Sequence, residues 1–464
     1  MRITRRAFVS ATAAFALAPA FGGRARAVPL PREADIVVIG AGAAGVAAAR
    51  RIVAANRKVI VIEASSRIGG RCLTDTATFD MPFDRGARWM HNPDTSPLIR
   101  LARGAGLETF PAPEQKIRIG RRNARTGETE DFLAALVRAT RGIDDLARKA
   151  DMSCAAALPK DLGDWAATVE FVLGAYATGK DLKDLSALDQ VRAQDRSAAV
   201  GCRQGLGALI VSLGEALPVA LATPAIRIAW SGRDVTVETP AGRIAARAAI
   251  VTASSNVLAS GAIKFTPDLP KRQLDAAAKL SLGSYDHIGL QLSGNPLGLG
   301  RDEAIIEQSS GPRTAVMLAN VGASSLCSID VAGSFGRDLS AQGEAAMLAF
   351  ALEWLTKLFG SDAAAAVKRS SATRWNAAPF VLGAVSAAAP GGQGARRILM
   401  EPVGSMFFAG EATHESLWGT VDGAWESGER AADAALKKIG TLGAPAPARK
   451  PARRRPPPAG PGSW

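Results

Sequence analysis

Three glycines, Gly40, Gly42 and Gly45, follow directly on the β-branched run Asp35–Ile39, and Glu63 closes a second such run, Lys58–Ile62. Glycine here permits a tight turn, lets backbone approach a pyrophosphate and lets a helix pack closely on a strand. The amides around Gly42, Ala43, Ala44 and Gly45 would open that helix, where the peptide dipoles favour an anion. Glu63 is placed to accept from ribose hydroxyls. The pattern points to a dinucleotide and does not choose between NAD and FAD. Just downstream runs Glu63-Ala64-Ser65-Ser66-Arg67-Ile68-Gly69-Gly70-Arg71. Two guanidiniums, Arg67 and Arg71, beside paired glycines can hold a diphosphate by side chain and backbone together.

Other residues could also do chemistry. His91, His287 and His414 are the only histidines. A metal triad is conceivable, but their spacing matches no ligand pattern, which favours separate hydrogen-bonding roles and no metal. Arg88 either clamps a substrate carboxylate or pairs with Asp84 or a phosphate. Four dispersed cysteines, Cys72, Cys154, Cys202 and Cys327, contain no CxxC pair and predict neither a disulfide framework nor zinc.

The elements that must position these residues begin with a β-α-β unit of about thirty residues, enough for a parallel pair. Residues 96–200 read as mostly helical, interrupted at Pro111, Pro113 and Pro159. Strands return at Ile226–Trp230, Asp234–Glu238 and Ala248–Thr252, which read as a meander inserted into the nucleotide domain. Further strand and helix patterns follow at 287–292 and 343–359. Ser405–Gly410 is another buried strand and Thr420–Ile439 another helix. Nucleotide-type elements at both ends predict two interleaved domains: 33–95, 201–269 and 396–440 against 96–200 and 270–395.

With these motifs in place, the chain resembles the flavin-containing amine oxidase family, which includes monoamine and polyamine oxidases and lysine-specific histone demethylases. Arg85-Gly86-Ala87-Arg88-Trp89 is similar to its loop beside the isoalloxazine. Phe408-Ala409-Gly410-Glu411-Ala412-Thr413 and Gly419-Thr420-Val421-Asp422-Gly423 are similar to its C-terminal flavin motif. The resemblance implies an α/β fold, a Rossmann-like FAD-binding domain interleaved with an α+β substrate domain. It implies that Glu411 meets the ribityl or pyrophosphate region and that Ile226 meets adenine through its backbone. The helix that Gly419, Thr420 and Val421 introduce would point its N-terminus at the flavin pyrimidine. Gly383-Ala384-Val385 stands where monoamine oxidases carry a flavin-linking cysteine, so FAD is expected to be non-covalent. His287 stands where the family often has a lysine holding a water near flavin N5; a neutral imidazole can still orient that water. Val385 and Thr420 replace two cage aromatics. Trp418 either substitutes for them, facing substrate, or is a core tryptophan.

The implied reaction is FAD-dependent oxidation of a small-molecule amine to an imine, with O2 or another acceptor taking the electrons. An L-amino-acid oxidase, a flavin desaturase and a non-catalytic flavin-binding protein remain alternatives on the same motifs.

Composition bounds these readings. The 464 residues are 47% hydrophobic and 21% charged, enough for two to three compact units and incompatible with disorder throughout. The net charge of +13 is concentrated at the ends: residues 1–27 and 441–464 carry ten basic residues and no acid, leaving +3 on residues 28–440. A nucleic-acid partner loses its main support. Thr4-Arg5-Arg6-Ala7-Phe8-Val9, the apolar run to Phe21 and Ala25-Arg26-Ala27 read as a cleaved twin-arginine signal. That run is shorter than the roughly 20 residues of a spanning helix. The expectation is a periplasmic protein with no integral membrane segment after cleavage and a disordered Pro- and Arg-rich tail from 441.

Overall fold

The computed structural model describes residues 30–440 except position 233, so the expected signal (1–27) and tail (441–464) lie outside the described residues. The apolar runs form the middle of an eight-stranded sheet in the order Val219–Ala220, Val59–Ile62, Glu33–Ile39, Gly242–Val251, Val235–Thr239, Arg227–Ala229, Lys264–Thr266; Met406–Phe408 also joins Gly242–Val251. Glu33–Ile39 lies parallel to both of its neighbours. Buried on both faces, the segments Ile36–Ile39, Val59–Ile62 and Ala248–Val251 are built from uninterrupted Val, Ile and Ala.

The expected meander is part of this sheet rather than an insertion in it. Its third strand starts at Gly242. The first half alternates exposed Arg243, Ala245 and Arg247 with buried Ile244 and Ala246, antiparallel to Val235–Thr239. The second half, Ala248–Val251, is buried throughout between Glu33–Ile39 and Met406–Phe408.

Helices Ala43–Ala54 and Val421–Lys438 share one apolar cluster, with Ala44, Ala48 and Ile52 against Ala431 and Ala435. The approach is close enough that a Cβ on Gly428 would stand 2.1 Å from the Ala44 carbonyl oxygen. On the other side of the first helix, a Cβ on Gly45 would stand 1.9 Å from the Gly40 carbonyl oxygen. Any side chain at either position would push the helix off its neighbour.

A second, seven-stranded sheet runs Val367–Ala372, Tyr285–Leu292, Leu326–Ala332, Val316–Ala319, Glu303–Glu307, Gln115–Ile119, Arg122–Asn123. Ile288, Leu290, Cys327, Ile329 and Val331 pack with Met347, Phe350 and Trp354 of helix Glu344–Phe359. Alternation turns His287, Ser328 and Asp330 to the opposite face. The register sets His287 directly opposite Asp330.

Residues 96–200 contain the helices Pro97–Gly104 and Thr126–Ala147, but also strands. Gln115–Ile119 pairs in parallel with Glu303–Glu307, because alternating Ile117 and Ile119 give it one apolar side. Thr109–Pro111, Ala199–Cys202 and Met90–His91 make a separate three-stranded sheet. Pro97–Gly104 and Lys271–Lys279, placed by sequence in the substrate domain, bury Leu98, Ile99, Ala276 and Ala277 in the cores beside the first sheet. Among the described residues no helix is long and apolar enough to cross a membrane.

Candidate active site

Gly42 caps helix Ala43–Ala54 with no side-chain hydrogen bond and no acid in the first turn. Its opening amides, at Ala43, Ala44 and Gly45, are therefore left for an anion. Gly40 N is held by Ile62 O at 2.8 Å, which fixes the turn against the second strand. Buried Glu63 at that strand's end accepts from Ala41 N at 2.7 Å and from Ser65 N and Oγ at 2.8 Å. A carboxylate has about four acceptor sites, so a ribose hydroxyl can still be received. Ala64 follows on the loop, where Arg67 donates to Gly70 O at 2.7 Å and pins the glycine turn. Burial draws the Arg67 guanidinium below its usual range, and Glu63 opposes that fall.

Arg71 donates to Glu411 Oε1 at 2.7 Å and to Ala384 O at 2.6 Å. Glu411 also receives Ser386 Oγ and, at 2.8 Å, Gly419 N. Burial would raise its carboxyl, but Arg71 and Ser386 bring it below the usual carboxylate range. One carboxylate thus ties the turn after Met406–Phe408 to the start of the C-terminal helix. A Cβ on Gly410 would meet nothing within 4 Å, so that turn faces open space beside a cavity lined by Arg71, Ser254 and Glu411. An uncapped helix N-terminus, a ribose-height carboxylate, two arginines and this opening fit a dinucleotide. Thr420 caps the C-terminal helix by accepting from Gly423 N, and Val421 begins it, buried. Asp422 in the same turn receives His91 N at 2.8 Å and Ser96 Oγ at 2.5 Å.

The loop Arg85–Trp89 meets the polar face of the second sheet. Ala87 N donates to Arg71 O at 3.0 Å, and Gly86 O receives His287 Nε2 at 3.0 Å. His287 Nδ1 bonds Asp330 Oδ1 at 2.7 Å. Both ring nitrogens face protein acceptors, so His287 has no nitrogen free to orient a water, contrary to expectation. Arg88 pairs with neither Asp84 nor an open site: it donates to Ser328 Oγ at 2.8 Å and lies 3.5 Å from Asp330 Oδ2. Tyr285 Oη reaches Asp330 at 3.0 Å. Burial would push the Asp330 carboxyl up, yet His287, Arg88 and Ser328 bring it down to about 2. Asp84 is taken up by Thr74 Oγ1 and Leu206 N.

Three other expectations change. Trp418 is 1% exposed, and the guanidinium carbons of Arg196 and Arg396 lie 4.4 and 4.6 Å from its ring centroid. Its ring is engaged by cations in the core and does not line an open substrate face. Ile226 is 47% exposed, and its N–H and C=O are both taken by the sheet, through Glu238 and Lys264, so its backbone is not available to adenine. Ala225, one residue earlier, has a backbone without hydrogen bonds among the described residues. Trp89 packs edge-on against Phe110, centroids 5.8 Å apart, on the small sheet. The three histidines each pair with a different acid, His91 with Asp422, His287 with Asp330 and His414 with Glu426.

Sequence reasoning missed Asp330, Ser328, Ala225, Arg196 and the fully buried pair Arg396–Asp189, joined by two 2.7 Å bonds. For the first two a signal existed: polar Ser328 and Asp330 alternate with Cys327, Ile329 and Val331. Arg396 and Asp189 are 207 residues apart, and no local pattern links them.

The family profile described as flavin containing amine oxidoreductase matches residues 43–185 and 160–436. Human lysine-specific histone demethylase 2 is 28% identical over 445 residues, covering 86% of this chain and 53% of the demethylase. The chain thus spans about half the length of the demethylases it matches. Polyamine oxidase 4 of Oryza sativa subsp. japonica is 26% identical over 445 residues, covering 87% and 89%. The structure of cyclohexylamine oxidase from Brevibacterium oxydans IH-35A superposes with a TM-score of 0.74 at 21% identity, covering 88% of this chain and 99% of that one. The profile match, spread over both sheets and both flavin-type loops, assigns the cofactor as FAD, and the chain belongs to the flavin-containing amine oxidoreductase family.

Proposed function

We propose that this chain oxidises a small-molecule amine to an imine, which water then hydrolyses to a carbonyl compound and ammonia or a smaller amine. The observation that carries this reading is the 3.0 Å bond from His287 Nε2 to Gly86 O. It joins the polar face of the second sheet to the loop that resembles the family's isoalloxazine contact. FAD supplies, when bound, the two-electron redox capacity that oxidises the amine and is restored by O2, giving H2O2, or by another acceptor. The chain's own residues position and exclude water. Glu63, Arg67, Arg71 and the Gly42 helix start hold the dinucleotide. Asp330 fixes His287 and Arg88, so the wall facing the loop is rigid. No strong base is required, because an amine that arrives deprotonated already carries its lone pair. Residues 1–27, outside the described residues, support a periplasmic enzyme exported by the twin-arginine route; cell fractionation checks this.

The test is anaerobic mixing of the purified holoenzyme with primary and secondary amines and amino acids, following the flavin absorbance. Bleaching by an amine supports the reading, and admitting air identifies O2 as acceptor through peroxide release. A bound flavin that no amine or amino acid bleaches overturns it.

A further inference from the structure

Arg196 lies in the loop between helix Ala187–Arg192 and strand Ala199–Cys202. Its Nη2 donates to the Trp418 carbonyl, yet its Nε is buried with no hydrogen bond, and no carboxylate among the described residues pairs with it. The two carboxylates that act on it, Glu411 and Asp189, are already held by Arg71 and Arg396. Burial, then Arg396, bring its guanidinium down to about 10. Lys180 adds to the surplus: its Nζ bonds only Ser281 Oγ and Ala387 O, and burial brings it down to about 8. Lys180, Arg71, Arg196 and Arg396 thus share the buried carboxylates Asp189 and Glu411, with exposed Asp184 beside Lys180.

A second donor nearby is also unanswered. The Trp418 indole Nε1 is buried without a partner. Folded proteins satisfy nearly all such groups, and an exception calls for a ligand or a water. A Cβ on Gly419 would stand 3.7 Å from Arg196 Nη1 and 2.6 Å from Val385 Cγ1, so the guanidinium lies beside the start of the C-terminal helix, where Val385 is packed against Gly419. Val385 and Thr420 are the small side chains standing where the resemblance puts aromatic bulk.

We propose that Arg196 receives a carboxylate of the substrate, so that the amine oxidised carries an acid group, as an amino acid does. The planar guanidinium fork suits a carboxylate, and a surplus of buried cations favours an anion over a second cation. Arg88, the arginine that sequence suggests for this role, already has Asp330. The proposal rests on the amine-oxidation reading for its reaction, and on Arg196 alone for its anion.

Holoenzyme is titrated with benzoate and with uncharged benzamide, following the flavin spectrum and, independently, the heat of binding. Benzoate is expected to bind and benzamide not; R196Q weakens benzoate about 30-fold, and R196K restores part of it. The same proteins are then mixed anaerobically with matched pairs, phenylalanine with phenethylamine and leucine with isopentylamine. The amino-acid to amine ratio of flavin reduction rates falls about 30-fold in R196Q. Benzoate binding equal in wild type and R196Q overturns the proposal, as does a wild-type preference for the simple amines that R196Q leaves unaltered. Loss of bound flavin from R196Q and R196K alike overturns it too, assigning the guanidinium to a cofactor phosphate. Benzoate binding through Arg196 without bleaching by any pair upholds the anion site and defeats the amine-oxidation reading instead.

Discussion

Arg88 and Arg196 are both withdrawn from water near the candidate site, and they differ in what surrounds them. Arg88 sits in a closed set: Ser328 and Asp330 receive it, and Asp330 is completed by His287 and Tyr285. Arg196 has one backbone carbonyl, an aromatic face and an unanswered Nε. The first arrangement builds a rigid wall; the second leaves binding capacity over. A motif position therefore said less about role than the partner did. Arg88 lies in the flavin-type loop and is consumed structurally, whereas Arg196 lies in no motif and keeps a free edge.

The comparison breaks most visibly at the third arginine. Arg396 is fully buried, 0% exposed against 2% for Asp189, and is matched by it through two bonds. Asp189→Ala would leave Arg396, like Arg196, without a paired carboxylate, holding only Ser386 Oγ and Ala412 O. The expected loss is about 3–5 kcal/mol in urea unfolding. A loss under about 1 kcal/mol would mean that buried arginines here need no carboxylate, and the contrast would lose its basis.

Next comes Asp330. Its carboxyl is lowered from 3.8 to about 2, so its contribution to stability is complete above about pH 4 and lost as pH falls through 2. The wild type should lose roughly 2 kcal/mol over that window relative to Asp330→Asn, measured by unfolding at each pH. Parallel curves for the two proteins would show that Asp330 is not the anchor of Arg88.

The smallest effect sharpens the contrast. Arg196→Met removes a buried cation that lacks a counterion, and should leave stability unchanged or raise it by about 1 kcal/mol. Arg88→Met takes from Asp330 one of its two cationic neighbours, leaving His287, Ser328 and Tyr285, and should lower it by about 2 kcal/mol. Equal losses in the two variants would mean that Arg196 has a structural partner after all.

The adenylate half of the site was legible because a β-α-β unit is local: the strand, the glycine turn, the helix and Glu63 fall within about thirty residues. The C-terminal loop was legible for the same reason. The substrate side was not, because its residues come from strand register and from chain segments far apart. His287 was found through the family resemblance, but its partner Asp330 follows from the pairing of Tyr285–Leu292 with Leu326–Ala332. The backbone of Ile226, read as the adenine contact, is drawn into the sheet beside Glu238, whereas that of Ala225 just outside it is not. Residues 115–119 were absorbed into a helical region because a five-residue strand with two isoleucines carries little periodic signal against long helices on one side of it.

The packing of Ala44 against Gly428 also decides when the site can exist during synthesis. The glycine turn emerges early, yet the strand beside it, Gly242–Val251, and the helix that covers it, Val421–Lys438, are made some 200 and 380 residues later. Contacts so distant in sequence close slowly and late. A nascent chain cut anywhere before that last helix would display the dinucleotide fingerprint and have no closed site to hold the cofactor. The site is therefore closed only once the chain has been made through Val421–Lys438.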